Sequence, residues 1–261
     1  MNPTVPHRPP RHPEAAPWLF AASQLAVLGL WWAAGWKIGL AALALSHAAM
    51  LWGTLRPGSA LFSPVLRRLP TREPVVWLTI DDGPSDDTAA MLDLLDAHGA
   101  KATFFVVAER ARARPELLAR IVQRGHGVGH HSGSHPSAAF WRLGPAAMRR
   151  EIEEADRTLR ELLPGYRLQW FRAVVGMANP FVARGLKRCG LARVAWSARG
   201  FDAVAADPAR VVARVERGLA PGAIVLMHEG AGHGRSVETM AALLARLQAL
   251  GYRCVLPEVR E

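Results

Sequence analysis

The stretch Val75-Val-Trp-Leu-Thr-Ile-Asp-Asp-Gly-Pro-Ser-Asp-Asp87 decides how this chain is read. An apolar run, 75–80, leads directly into two adjacent carboxylates and then into Gly83-Pro84. A short continuous apolar run closed by a turn signal reads as a strand buried on both faces. Two neighbouring carboxylates repel each other, so they need a cation, hydrogen-bond donors or water. Neighbouring side chains on a regular strand point to opposite faces. Here the strand breaks at Gly-Pro, so both acids can serve one site.

The same pattern repeats outward from this stretch. Apolar runs at 102–107, 127–131, 169–173, 193–198, 223–228 and 252–256 alternate with helical periodicity at 88–98, 115–124, 145–163, 180–189, 208–219 and 236–250. Pro115, Pro145, Pro180 and Pro208 each suit a first helical position. Strands alternating with helices of this length predict βαβ units and a parallel sheet, as a barrel or doubly wound. The reactive side chains gather at the carboxyl ends of these strands. Asp81 and Asp82 follow the first, His131 and His135 the third, Arg172 the fourth, Asp202 the fifth and His228 the sixth. In a parallel barrel those ends share the face that holds the active site.

His131-Ser-Gly-Ser-His135 sets two imidazoles four residues apart, a spacing that can grip one metal ion. Alone the pair reads equally well as surface or capping histidines. Asp82 as a third ligand makes a His₂-carboxylate set with open positions. Asp81 is then left beside the site to accept a proton from water. Arg172, in the apolar context Gln-Trp-Phe-Arg, can pair with Asp81 and orient it. His228 ends Ile-Val-Leu-Met-His and reads either as a satisfied core histidine or as a general acid whose protonation Asp202 maintains. The chemistry described is metal-assisted hydrolysis of an amide or ester.

Thr79-Ile-Asp-Asp-Gly-Pro84 resembles the TFDDGP motif of the polysaccharide deacetylases, the NodB-homology or carbohydrate esterase 4 family. His131 to His135 matches that family's H-[ST]-x-x-H motif. Phe171-Arg172-Ala-Val-Val-Gly176 resembles R-x-P-x-G, Trp196-Ser197 through Asp202 resembles the fourth motif, and Leu226-Met-His228 matches L-x-H. The resemblance spans about residues 75–257 and implies a distorted (β/α) barrel. It implies Asp81 as general base, with Asp82, His131 and His135 as ligands of a divalent metal, zinc by preference. It further implies that Arg172 positions Asp81, that His228 is the general acid tuned by Asp202, and that an N–H near Val175 serves the oxyanion. The implied reaction removes an acetyl or formyl group from the nitrogen of an amino sugar. Val174 stands where the third motif has proline, Ala203 where the fourth commonly has tryptophan, and Ile80 where the first has phenylalanine. His130 stands in place of an asparagine and is not expected to be a ligand. A non-catalytic carbohydrate- or lipid-binding relic would have lost a ligand or the base, and neither is missing.

The 261-residue chain is 50% apolar, but unevenly so. From Pro17 to Leu55 the only formal charge is Lys37, and five tryptophans, Trp18, Trp31, Trp32, Trp36 and Trp52, fall there. The runs 18–36 and 38–55 are each long enough to cross a bilayer, with a turn expected at Gly35 to Gly39. Arg8 and Arg11 precede the pair and Arg56, Arg67, Arg68 and Arg72 follow it. The positive-inside rule then favours a hairpin in a bacterial inner membrane with both ends cytoplasmic. A single span carrying the domain outward is the competing topology. A cleaved signal fits poorly, because the apolar region is too long. His47 is expected as a neutral histidine packed between the two helices. Residues 1–16 read as a disordered basic tail, 17–55 as the hairpin, 56–74 as a basic linker and 75–258 as the catalytic domain.

The net charge of +10 suits a solvated basic surface or anionic lipid headgroups. Without a basic run or zinc finger, nucleic acid is not expected as a partner. Cys189 and Cys254 are read as free thiols. The expected substrate is an amino sugar, lipid-linked at the inner leaflet if the domain is cytoplasmic. If the domain faces outward, peptidoglycan or an exported polysaccharide is expected.

Overall fold

Every residue of the run 75–80 is buried, as a strand covered on both faces must be. The computed structural model describes residues 3–260. Strand β1 (Thr4–Pro6) precedes helices α1 (Ala15–Ala34) and α2 (Trp36–Leu55). Then come β2 (Val65–Leu66), β3 (Val75–Gly83), α3 (Thr88–Ala97), β4 (Ala102–Val106), α4 (Ala108–Ala113), α5 (Pro115–Gln123) and β5 (Gly127–His130). They are followed by α6 (Pro145–Arg149), α7 (Ala155–Leu162), β6 (Trp170–Phe171), α8 (Val182–Cys189), β7 (Ala192–Val194) and β8 (Ala198–Arg199). The chain ends with α9 (Pro208–Glu216), β9 (Ala223–His228), α10 (Ser236–Ala249), β10 (Arg253–Cys254) and β11 (Glu258–Arg260).

The main sheet is parallel, in the order β2-β7-β6-β5-β4-β3-β9-β8, with β10 against the start of β3. Its two faces follow the period of two. Val75, Trp77, Phe105, Trp170, Val194 and Ile224 form one cluster inside the curled sheet. Val76, Leu78, Ile80, Phe104, Phe171 and Val225 form another with the helices, including Leu92, Leu118, Val211 and Leu243. The sheet curls because the segment expected as one strand, 193–198, changes partners. Ala195 N–H donates to Leu66 at 2.8 Å, while Ser197 N–H donates to Ile224 at 3.0 Å. The segment therefore splits into β7, next to the terminal strand β2, and β8, at the other end of the sheet order. An antiparallel bridge from Arg68 to Ala223 draws the ends together further. The result is the distorted (β/α) barrel expected.

Most expected helices form within one or two residues of their predicted limits. The segment 145–163 is helical but carries a π turn, Arg150–Glu154, between α6 and α7. Helix α4 was not expected, since its alanines and arginines carry little apolar periodicity. Both cysteines are free.

The tail expected to be disordered instead contributes β1, which pairs in parallel with β11. Val5 is fully buried with Leu69, Trp77, Trp170 and Val255. One apolar side chain among prolines and basic residues leaves no periodic trace, which is why composition alone misread this stretch. Residues 1 and 2 lie outside the described residues. The linker is also built into the domain. Strand β2 pairs with β7, and the buried Arg193 guanidinium donates to the carbonyls of Ser59 and Ser63. Burial pushes the Arg193 pKa down to about 10.

Helices α1 and α2 have 20 residues each and are long and apolar enough, by length and composition, to cross a membrane. They join at Gly35, whose φ of +87° suits a residue without a Cβ, so the turn is tighter than expected and Lys37 lies in the first turn of α2. Gln24 Nε2 donates across the pair to Ser46 Oγ at 3.2 Å. Because Ser46 takes that inner position, His47 is exposed on the flank, its ring 5.5 Å from Phe20, rather than packed between the helices. Trp32 is 95% exposed and Trp18 is 72% exposed, so the outer surface is an apolar patch without a partner in the fold.

Val5→Asp would bury a charge among tryptophans and should cost more than about 2 kcal/mol. Urea unfolding of the detergent-solubilised chain should show a lower midpoint. An unchanged midpoint would mean that β1 does not belong to the core.

Candidate active site

Thr79 and Asp81 share the inward side of β3 with Val75 and Trp77, so the first carboxylate points into the barrel mouth. Regular alternation would send Asp82 outward. The register with β4 instead shifts between Asp81 and Gly83, and Asp82 adopts a φ of +73°. This bulge turns the second carboxylate back toward the same mouth. Asp82 Oδ1 lies 2.9 Å from His135 Nε2 and 3.7 Å from His131 Nε2. Burial raises the Asp82 pKa, but the His135 ring and the neighbouring His131 and His228 outweigh it and hold the carboxyl well below its ordinary range.

His131 is buried at the end of β5, and His135 follows on a short turn. The His131 ring donates from Nδ1 to the Arg172 carbonyl at 2.9 Å, which fixes the tautomer and leaves Nε2 facing the carboxylates. Burial pushes the His131 pKa down despite Asp81 and Asp82, so the imidazole is neutral, the form that can ligate. Ligand atoms of Asp82, His131 and His135 all lie within 4.8 Å of one another, close enough to hold a single metal ion. His130 is not part of this group. Its Nε2 donates to the Ile152 carbonyl at 3.0 Å, its Nδ1 accepts from Ser132 N–H at 3.0 Å, and burial brings its pKa down to about 4.

Arg172 is fully buried at the base of the mouth. Its Nη1 donates to Asp81 Oδ1 at 2.7 Å and to Thr79 Oγ1 at 2.8 Å. Its guanidinium carbon lies 4.2 Å from the centre of the Phe105 ring. Asp81 Oδ2 stays free of that bond and faces His131 Nε2 at 3.6 Å. Beside β3, at the end of β9, His228 Nδ1 donates to Asp202 Oδ1 at 3.0 Å, and Asp202 Oδ2 accepts the His228 backbone N–H at 2.6 Å. Burial lowers the His228 pKa, but the bond to Asp202 and the charges of Asp202, Asp81 and Asp82 raise it to about 9. All seven residues singled out from sequence therefore meet at one end of the barrel.

Three further residues hold this constellation. Glu151, on the π turn, accepts from the N–H groups of Gly133 and Ser134 at 2.9 and 3.0 Å and from Ser134 Oγ at 2.7 Å, steadying the turn between the histidines. Arg110 on α4 donates to the Asp82 carbonyl. Glu229 is buried behind the bulge, accepting from Ser85 Oγ at 2.7 Å and from Thr88 Oγ1, and burial raises its pKa. A carboxylate next to His228 at the end of an apolar strand was a readable signal for Glu229. Glu151 and Arg110 left none, because charged residues on helices are ordinary.

Among the described residues, five non-glycines have positive φ: Asp82, Ser132, His135, Val175 and Phe201. Asp82 lies in the β3 bulge and the other four on the loops around this mouth. Such conformations cost about 1–3 kcal/mol each and persist where the surrounding structure over-determines them, most often at functional sites. Val175 is β-branched, which makes its φ of +48° the least expected of the five.

The chain is similar to known proteins. The family pattern described as "Polysaccharide deacetylase" matches residues 68–194. A chitooligosaccharide deacetylase of Bradyrhizobium sp. is 36% identical over 180 residues, covering 68% of this chain and 81% of that protein. A peptidoglycan-N-acetylglucosamine deacetylase of Bacillus cereus is 31% identical, covering 72% and 88%. The solved structure of the Bc1960 peptidoglycan N-acetylglucosamine deacetylase is 28% identical, with a TM-score of 0.67 over 73% of this chain and 89% of that one. With barrel, motifs and relatives in agreement, this chain belongs to the polysaccharide deacetylase family and is a carbohydrate deacetylase.

Proposed function

We propose that the chain is a membrane-anchored, metal-dependent hydrolase that removes an acetyl or formyl group from the nitrogen of an amino sugar, lipid-linked at the inner leaflet. The observation that carries this reading is the Asp82, His131 and His135 triplet, flanked on one side by Asp81 with Arg172 and on the other by His228 with Asp202. The triplet fits a divalent cation. Asp82 Oδ1 is buried, and both histidines turn a ring nitrogen toward it, His135 Nε2 at 2.9 Å and His131 Nε2 at 3.7 Å. Two imidazoles and one carboxylate are a donor set that suits zinc. The ion would supply Lewis acidity toward the acyl oxygen and the attacking water.

The chain's own residues account for the proton transfers. Arg172 occupies Asp81 Oδ1, so Oδ2 is the atom that takes the proton from water. His228 has Nδ1 committed to Asp202, so Nε2 delivers a proton to the departing amine. With its pKa near 9, His228 is protonated at neutral pH, as an acid must be. The strained turn at Val175 offers its backbone N–H to the developing oxyanion.

The amino-sugar substrate follows from relatives named for chitooligosaccharide and for peptidoglycan N-acetylglucosamine. The lipid-linked form follows from the apolar hairpin and its flanking arginines. The peptidoglycan relatives also favour a second reading, an outward-facing enzyme acting on the cell wall.

Wild-type protein should hold about one zinc per chain, and Asp82→Ala or His135→Ala should remove it. Asp81→Asn should keep the metal and lower kcat by a factor of about 10² to 10⁴. Metal analysis beside an N-acetylglucosamine oligomer assay checks both, and a metal-free active wild type would end the mechanism.

The pH profile gives a second check. A raised pKa keeps His228 protonated until pH passes that value, so kcat/KM should fall on the alkaline side. Asp202→Asn removes the main stabiliser of the imidazolium and should move that limb to lower pH by about one unit or more. An unmoved limb would remove Asp202 from this role.

Reporters fused to the carboxyl end, one active only outside the cytoplasm and one fluorescent only inside, decide the topology. A cytoplasmic signal is expected, and an external one would favour the cell-wall reading.

A further inference from the structure

A cavity of about 430 Å³ lies where the end of α2 meets the barrel, and its lining includes Trp52, Arg56, Arg67, Trp196 and Arg199. Like charges gathered in one recess repel each other unless an anion joins them. Elsewhere on this basic surface arginines are commonly paired, as Arg124 is with Asp93, Arg184 with Glu14 and Arg246 with Glu216. Among the described residues, Arg56, Arg67 and Arg199 have no carboxylate partner. Aromatic rings hold two of them. The Arg56 guanidinium carbon lies 4.0 Å from the Trp52 ring centre, and that of Arg199 lies 3.9 Å from Phe201 and 5.4 Å from Trp196. A guanidinium laid against a ring keeps its N–H edge available to an anion.

One wall of the cavity backs onto the active site. Trp196 stands between it and Arg172, whose guanidinium carbon is 5.8 Å from the same indole. Gly176, next to Val175, is pressed against the cavity wall. A Cβ there would collide with Trp196 and come within 2.7 Å of Pro57, another lining residue. The last turn of α2 supplies Trp52 and Leu55 as an apolar flank. The cationic interior thus adjoins an apolar flank on one side, and Trp196 and the Val175-Gly176 turn separate it from the mouth on the other.

We infer that this cavity is an anion subsite for the phosphate or diphosphate of an amphipathic substrate, whose acylated sugar enters the mouth while its hydrocarbon chain lies along α2. This rests on the amino-sugar hydrolase reading above and names the group that joins its lipid to its sugar. Tetrahedral phosphate oxygens match the donor fork of arginine. Inorganic phosphate shares that chemistry, so source as well as binding must be tested.

The test uses the full chain in neutral detergent, titrated calorimetrically with dodecyl phosphate, inorganic phosphate and dodecyl maltoside. Dodecyl phosphate should bind saturably and at least about tenfold more tightly than inorganic phosphate. Arg56→Gln and Arg199→Gln should each weaken it by about tenfold or more, as loss of a charged hydrogen-bond donor does, and Arg199→Lys should recover part of the loss. Arg67→Gln alters an exposed side chain with no hydrogen bond to the fold and should show the same direction without unfolding. Variants that bind like wild type, or dodecyl maltoside competing equally, would overturn the inference. Equal affinity for inorganic and dodecyl phosphate would overturn it in favour of a free anion. Hydrolysis of a phosphate-free N-acetylglucosamine oligomer is followed in parallel. Hydrolysis without phosphate binding would sink the subsite alone, and phosphate binding without hydrolysis of any N-acyl sugar would sink the activity alone.

Discussion

A guanidinium with no access to water has to be answered by the protein itself. Arg172 is answered by Asp81, by Thr79, by the Ala195 carbonyl at 3.3 Å and by the faces of Phe105 and Trp196. These partners come from β3, from β4 and from the segment that crosses between β7 and β8, so one charge ties together the strands that make the mouth. Removing one side of such a pair leaves a bare buried charge, a loss of about 3–5 kcal/mol. The backbone of the same residue also aims His131, since its carbonyl receives the ring proton. Asp81, one histidine of the triplet and the closure of the barrel are thus fixed by a single side chain and its own peptide group.

The second constraint is geometric. Two carboxylates in sequence can serve one mouth only if the strand stops alternating, and the bulge at Asp82 does this. The bulge in turn needs support, which comes from Arg110 on the Asp82 carbonyl and from Glu229 with Ser85 and Thr88 behind the loop. The neighbouring loops follow the same logic, with Glu151 holding the turn between His131 and His135.

Much of this was legible in the sequence because it depends on local pattern. Apolar runs, helix-starting prolines and the placing of acids and histidines at strand ends report a parallel α/β sheet and its active face. Motifs with fixed spacing, such as His131 to His135, survive translation into structure because four residues on one turn cannot stray far. What escaped depends on contacts distant in sequence. The division of 193–198 between two partners is decided by β2 and β9, which the segment itself cannot reveal. Val5 is a lone apolar residue whose burial depends on Trp77 and Trp170. Glu151 and Arg110 look like any charged residue on a helix until the loop they support is known.

The order β1, hairpin, β2 has a mechanical consequence. Strand β1 is fastened to β11, Lys187 Nζ donates to the Arg11 carbonyl at 3.0 Å and Arg184 Nε meets Glu14 at 2.6 Å, all before α1 is under way. After α2, Arg193 holds the Ser59 and Ser63 carbonyls, and β2 joins the sheet. The hairpin is therefore a handle bolted to the barrel at two points, not a tether. A tethered enzyme sweeps a volume and meets its substrate at any height. An enzyme on a double mounting presents its mouth at one height and one tilt to whatever grips the handle, exchanging reach for aim.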